Sequence, residues 1–449
     1  MRRLRLVQLL AAVCLGAIAL PGAASAASIY NAKTFTLANG LQVVVIEDHR
    51  APVVTHMVWY KVGAADDPVG KSGIAHFLEH LMFKGTPSVP ANEFNRIIAR
   101  NGGTDNAFTT LDYTGFYEDV AAPKLDLAMR LEADRMQNLT IGENEVTTER
   151  QVIIEERRSR IDNEPGALFA EQLQAAQYLA SPYRIPVIGW RHEMEGLTRA
   201  DALSYYKAHY APNNAIVVIV GDVSLDRVRS LAEKYYGVVP RRDVPPRLRP
   251  QEPPQIAARR VTMGDPRVRQ ASWTRSYLAP SSRAGDTKLA IPLMLLADIL
   301  GGGETSRLHR ALVLGDGIAT SAGAGYDALS LDLSTFDVFA RPKQGVPLEK
   351  IEAGVDGAIA DLLKGGITAD ELARAKTGYR AGAIYGRDSN DATARLFGSA
   401  LVIGLDVESV ESFVDRVDAT TAEQVENAAR AVFDLRHSVT GTLSPKPAS

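Results

Sequence analysis

The stretch GIAHFLEHLMFKGT, Gly73 to Thr86, sets two histidines and a glutamate in an otherwise apolar run. Positions four apart share one face of a helix, one turn above the other, so His76 and His80 can point at one ion. Neutral imidazole is a good Zn2+ ligand at about 2.0–2.1 Å. Glu79 follows His76 by three and precedes His80 by one. Its carboxylate stands near the same ion, placed to take a proton from a water there rather than to bind the metal. Ile74, Phe77, Leu78, Leu81 and Met82 make the rest of the helix apolar. Burying two unpaired imidazoles and a carboxylate among them is costly without a partner such as an ion. The other six histidines, His49, His56, His192, His209, His309 and His437, have no ligand spacing with one another and read as surface or core residues.

Outward from this helix, the chain of 449 residues is 46% hydrophobic, enough for two or more sizeable cores. A net charge of −3, with no long run of one sign, offers no basic surface for nucleic acid. The start reads as a secretory leader: MRRLR, then the apolar run VQLLAAVCLGAIAL, then PGAASA with small residues at Ala24 and Ala26. The apolar run is short of the ~20 residues a membrane-spanning helix needs, so cleavage after Ala26 and a periplasmic location are expected. Val13 stands before Cys14 where a lipoprotein needs a small residue. Cleavage removes Arg2, Arg3 and Arg5 and no acid, taking the net charge from −3 to −6. It also removes the only cysteine, and with it any disulfide or thiolate chemistry. No later run is long enough to span a bilayer, so the mature protein is expected to be soluble.

TFTLANGLQVVVIE reads as two strands around Asn39-Gly40, and VVTHMVWYKVG as a third. NEFNRIIARNGG reads as a helix closed by Gly102-Gly103, and TDNAFTTLDYTGFYEDV as a strand pair. Leu125–Asn138, Glu143–Asp162 and Leu225–Tyr236 read as helices, and NNAIVVIVGDV as a buried strand. Pro240–Gln255 holds six prolines and reads as a stiff linker. Beyond it, TRSYLAP stands where MVWYKVG stood, LAIPLMLLADILGGG where the histidine helix stood, and the C-terminal ATTAEQVENAARAVFDLRHSVTGTLSP echoes GLTRADALSYYKAHYAPNNAIVVIVGDV. This order implies an internal duplication of about 200 residues, with the chemistry kept in the first copy. The expected division is a leader over 1–26, a zinc-binding domain over 27–239, a linker over 240–256 and a second domain over 257–449.

GIAHFLEHLMFKGT resembles the inverted zinc motif of the M16 metallopeptidases, the inverzincins. LANGLQVVVIED, NGGTDNAFTTLDYT, ERQVIIEE and APNNAIVVIVGDV resemble further family segments in the family's order. The length is similar to the short M16B type, which includes the zinc-bearing subunit of the mitochondrial processing peptidase and bacterial relatives. The resemblance implies an α+β fold of two homologous domains, each a largely antiparallel sheet covered by helices (LuxS/metallohydrolase-like), assembled as a clam-shell dimer. It implies one Zn2+ per chain and peptide-bond hydrolysis, with Glu79 as the base. It also implies a third ligand with about 75 residues between it and His80, which lands on Glu156. Glu149, two helical turns earlier, shares that face and supports the site as a catalytic residue. Glu155 competes as ligand, about 100° away around the helix, and periodicity alone does not choose between them. In the family the NGGTDNAFTT segment is an edge strand that pairs with the substrate backbone, which assigns Asn106 and Ala107 to peptide binding. An ordinary strand is the bland alternative.

One departure from the family stands out. Relatives carry an arginine and a tyrosine seven residues apart, after a Gly-rich loop and Ser-Arg-Leu. Here GGGETSRL, Gly301 to Leu308, is followed by Val313 and Thr320 at those positions. Arg310 and Tyr326 are not at the right spacing. The resemblance therefore implies a second M16 subunit that supplies the arginine–tyrosine pair, or alternatively a homodimer. The rival function is a non-catalytic binding or assembly subunit of the same fold, a class that generally lacks the zinc motif. VGKS, Val69 to Ser72, is not a phosphate loop, because Ala65 stands where glycine is needed. Arg157, Arg158 and Arg160 sit beside acids and read as a solvated helix face.

Overall fold

The computed structural model describes residues 29–445, so the expected leader and its cleavage site lie outside the described residues. TFTLANGLQVVVIE forms β1 (Lys33–Thr36) and β2 (Gln42–Glu47), with Gly40 at φ +94° in the turn. β3 (Val53–Tyr60), β4 (Thr104–Thr109), β5 (Thr114–Ala121) and β6 (Ala215–Gly221) complete a six-stranded sheet, ordered β1-β2-β6-β3-β5-β4. β2 and β6 run parallel and the other neighbours antiparallel. β4 is last in the order, so its outer side is an open edge. The helices of this half are α1 (Ile74–Leu81), α2 (Glu93–Arg100), α3 (Leu125–Asn138), α4 (Glu143–Arg157), α5 (Pro165–Gln177), α6 (Arg191–Met194), α7 (Arg199–His209) and α8 (Leu225–Tyr235). The helix expected to reach Asp162 is α-helical only to Arg157. The chain widens into a π-type turn over Arg158–Asp162 before Pro165, whose ring restricts the backbone ahead of it.

The second half repeats the plan. β7 (Arg259–Gly264), β8 (Ser272–Ala279), β9 (Ala319–Tyr326), β10 (Ser334–Pro342) and β11 (Ser438–Ser444) are ordered β7-β11-β8-β10-β9. Here too one pair, β7 with β11, is parallel. Tyr60 of MVWYKVG faces the first residue of β6, Ala215, and Tyr277 of TRSYLAP faces the first residue of β11, Ser438. The likeness read between those segments is thus a likeness of register. The helices are α9 (Ala290–Gly301), α10 (Leu348–Gly365), α11 (Ala369–Gly386), α12 (Asn390–Val402), α13 (Val407–Glu411), α14 (Phe413–Ala419) and α15 (Ala422–Val432).

Each half lends a helix to the other. Every residue of β6 is buried. Val217 and Ile219 face the core of the first half, whereas Ile216, Val218 and Val220 pack in a second cluster with Ala394, Phe397 and Leu401 of α12. Gly398 permits this contact, because a Cβ there would lie 2.0 Å from the Trp59 ring. Reciprocally, α5 crosses β7 and β11 of the second sheet, and a Cβ on Gly441 would lie 2.6 Å from Phe169. At ~1.5–3 kcal/mol for each large apolar side chain buried, such exchanges make the halves one body. Arg157 belongs to this joint and not to a solvated face: it is buried, with Nη1 and Nη2 on Glu171 of α5 at 2.8 and 3.1 Å. Arg158 and Arg160 are exposed, as expected.

The proline-rich segment forms no helix or strand. It is pinned rather than free. Arg249, with a side chain 6% exposed, reaches Asp66 at 3.0 Å, Asp112 at 2.5 Å and, across the halves, Asp332 at 3.1 Å.

Candidate metal centre

Phe77, Leu78 and Leu81 turn one side of α1 into the core, which leaves His76 and His80 half-buried on the opposite side. The helix start is held by Asp67, whose carboxylate accepts the N–H groups of Gly73 (2.7 Å) and Ala75 (3.2 Å). α4 packs beside α1 and brings its acids to the histidines. His80 Nε2 is 3.4 Å and His76 Nε2 3.8 Å from Glu156 Oε2, and the three ligand atoms lie within 4.8 Å of one another. Two ligands about 2.0–2.1 Å from a tetrahedral ion stand about 3.3 Å apart. The two nitrogens and one oxygen therefore need only small shifts to close on Zn2+, and two imidazoles with one carboxylate leave a position open. Among the described residues, this is the group of His, Cys, Asp or Glu that could hold a metal ion. Glu155, by contrast, is 59% exposed and pairs with Arg158 at 2.6 Å.

Around the three lies a charged outer layer. Glu149 Oε1 takes His80 Nδ1 at 2.9 Å, and its other oxygen pairs with Lys84 Nζ at 2.6 Å. Arg160 Nη1 holds the second oxygen of Glu156 at 2.7 Å. Burial and the neighbouring His80 charge hold His76 down to about 4, which keeps a lone pair available at neutral pH. For His80 burial also acts downward, but the hydrogen bonds to Glu149 and Glu156 outweigh it and lift the imidazole to about 9. Glu156 is held below its ordinary range by its hydrogen bond to His80.

Glu79 is buried, and burial raises its pKa against the pull of the Thr109 hydroxyl and the His80 charge. Thr109, the last residue of β4, donates to Glu79 Oε2 at 2.5 Å. Asn106 and Ala107 lie on the same open edge strand, where Asn106 Oδ1 accepts the Ala107 N–H at 2.8 Å. Val313 is packed against the second-half core, and the Thr320 hydroxyl is engaged with Gln270 (3.0 Å) and Arg341 O (3.3 Å). Tyr326 donates to Pro280 O at 2.6 Å.

Sequence reasoning missed Lys84, Thr109 and Arg160 as supports of the site. Lys84 was findable, since it continues the four-residue spacing of His76 and His80 along one face. Arg160 was findable too, four residues beyond Glu156. Thr109 depends on where the end of β4 meets α1, which no local pattern records.

Two family descriptions match the chain: insulinase (peptidase family M16) over residues 42–190, and the peptidase M16 inactive domain over residues 196–379. The zinc protease PqqE of Helicobacter pylori is 32% identical over 416 residues, covering 92% of this chain and 93% of its own length. The zinc protease Rv2782c of Mycobacterium tuberculosis, itself uncharacterized, is 32% identical over 414 residues, covering 90% of this chain and 91% of its own. The crystal structure of a protease from Helicobacter pylori superposes with a TM-score of 0.86 at 31% identity, covering 92% of this chain and 99% of that one. Two family matches in tandem, relatives alike over nine-tenths of their length and the two repeated sheets agree: the chain is a member of the M16 family of metallopeptidases.

Proposed function

We propose that the chain is a zinc endopeptidase that cleaves peptides or unfolded segments, and that it works as the zinc-bearing subunit of a heterodimer. The observation that carries the reading is the convergence of His76, His80 and Glu156 on one point, with the buried carboxylate of Glu79 beside them. Zinc held there would supply a Lewis acid to polarise the scissile carbonyl and acidify water. Glu79 takes the proton as water attacks, and its buried setting makes it a stronger base than a solvated carboxylate. It then hands the proton to the leaving amine. Thr109 ties down one Glu79 oxygen and leaves the other for the transfer. Glu149 acts from outside the ligand set: it holds the Nδ1 proton of His80 and so keeps Nε2 as the donor atom. The open edge of β4, with Asn106 and Ala107, accepts a peptide as an added strand, using main-chain hydrogen bonds that demand little of its sequence.

The case for a second M16 subunit rests on Val313 and Thr320, which offer no cation or phenol where relatives have them. A periplasmic location rests on the leader. Among the described residues no helix is long and apolar enough to cross a membrane. The test is Glu79→Gln. It should retain zinc and lose cleavage of an unfolded reporter peptide by the chain with its partner. Retained cleavage would remove Glu79 from this role, and wild-type protein that holds zinc yet cuts no peptide under any pairing would favour the assembly-subunit reading.

A further inference from the structure

Where the two halves meet, a cavity of about 270 Å3 opens beside the proline-rich segment, and none of the metal-site residues lines it. The first half supplies Lys61, which follows β3, His209, which ends α7, and Asn214, which precedes β6. Hydrogen bonds fix these three to one another. The Lys61 N–H donates to Asn214 O at 2.9 Å, and Asn214 Nδ2 donates to His209 O at 2.9 Å. Pro245 and Arg247 of the proline-rich segment and Leu331 and Ile403 of the second half line the other sides. The volume is just under the ~300 Å3 at which sites for drug-sized molecules begin. It has room for a charged head group and a small body.

Charge gives this cavity a chemistry. No aspartate or glutamate lines it. Lys61 is half-buried, and its ammonium has no ion pair or hydrogen bond among the described residues. Burial, and after it the Arg247 charge, hold it below the ordinary lysine range. Arg247 Nη2 donates to Asp112 O and stands 3.3 Å from Asp66 Oδ2, but its Nε is buried without a partner. His209, kept below its ordinary range by burial, offers one N–H from a neutral ring. At the rim, a Cβ on Gly404 would stand 3.3 Å from Arg283 Nη2, and that exposed guanidinium also has no ion pair among the described residues. A half-buried ammonium and a buried guanidinium N–H without acceptors are costly until an anion meets them. An anion with several oxygens accepts from all of these donors at once.

We propose that this cavity binds a small phosphate monoester, with its oxygens on Lys61, His209 and Arg247 and its organic group against Pro245, Leu331 and Ile403. The double charge answers two unmatched cations, Lys61 inside and Arg283 at the rim, which a monocarboxylate does not. The ester touches both halves and the segment between them, so it braces the joint. None of this depends on the peptidase reading.

The experiment is calorimetric titration of the zinc-loaded chain with phenyl phosphate in phosphate-free buffer. The ester should saturate one site. Lys61→Met keeps an unbranched stem and loses the charge. It should weaken binding by roughly ten- to a hundredfold, the loss expected for a charge-assisted hydrogen bond. It should melt no lower than the wild type, since it removes an unpaired charge from a half-buried place, so a lost site is not a lost fold. Arg283→Gln, at an exposed position, should weaken binding several-fold, and more at low salt than at high. Lys33→Met, which removes an equal charge from exposed β1, should change nothing. Inorganic phosphate should bind more weakly than the ester, and benzoate more weakly again. The proposal is overturned by the absence of saturable binding or by benzoate or inorganic phosphate binding as tightly as phenyl phosphate. Binding that survives Lys61→Met, as it would for an ester held on zinc, overturns it equally.

Discussion

Replacing Glu149 by glutamine should weaken zinc binding without abolishing it. Glu149 Oε1 holds His80 Nδ1 at 2.9 Å, and Oε2 holds Lys84 at 2.6 Å. Glutamine keeps the shape and can still accept the Nδ1 proton, but it loses the charge that makes the imidazole a better donor. Outer carboxylates on ligand histidines are worth roughly 10–100-fold in metal affinity, or about 1.4–2.8 kcal/mol. Glu156→Gln takes the negative charge from the carboxylate whose oxygen stands 3.4 and 3.8 Å from the two imidazole nitrogens, and should drop zinc below detection in the same assay. Glu155→Gln, which disturbs only an exposed pair with Arg158, should change nothing. The assay is competition for zinc against a chromophoric chelator at neutral pH, with circular dichroism to check the fold. The reasoning fails if Glu149→Gln binds zinc like the wild type, if it is as severe as Glu156→Gln, or if Glu155→Gln loses the metal.

Thr109→Val keeps the shape but removes the hydroxyl that holds Glu79 at 2.5 Å. It should lower kcat roughly 10–100-fold, the worth of a charge-assisted hydrogen bond, with KM and zinc content unchanged and Thr109→Ser restoring the rate. Arg249→Leu strands the carboxylates of Asp66, Asp112 and Asp332 and should cost about 3–5 kcal/mol in urea unfolding. A cost below about 1 kcal/mol, the level of an exposed pair, would show that the clamp does not hold the halves. Stability should also fall as pH rises from about 6.5 to about 8. Burial raises Glu118 to about 7 and Glu132 to about 8, against the pull of Arg135, so the unfolded chain sheds these protons first and gains as pH rises. His56, held down to about 4 by burial, acts in the opposite direction only below its unfolded value of about 6.5. Urea midpoints across this window should decline in the wild type and decline less steeply in Glu132→Gln, where Glu118 and His80, the latter lifted to about 9, still act in the same direction; an unchanged slope in the variant would refute the assignment.

Local pattern carried far in this chain because its elements are strongly marked. A β-branched run such as AIVVIVG has few alternatives to a buried strand, and histidines four apart on an apolar helix have one shared face. Leu125–Asn138 was legible to the residue. Where pattern failed, a contact distant in sequence had intervened. Arg157 looked like its solvated neighbours until α5 came to lie against it with Glu171. The linker looked like a spacer because nothing near Arg249 in sequence announces three aspartates.

The sequence by itself determined the two imidazoles, the carboxylate beside them and the repeated order of strands, since each is set by spacing within one element or by the order of elements. Periodicity left Glu155 and Glu156 open and the family's spacing pointed to Glu156; the tertiary structure turns Glu156 to the histidines and Glu155 to solvent, and it alone tied Thr109 to Glu79 and laid α12 and α5 on each other's sheets. Those outcomes depend on which helix faces meet, and the angle at which two helices meet is set by packing across the whole core rather than by the residues along either one.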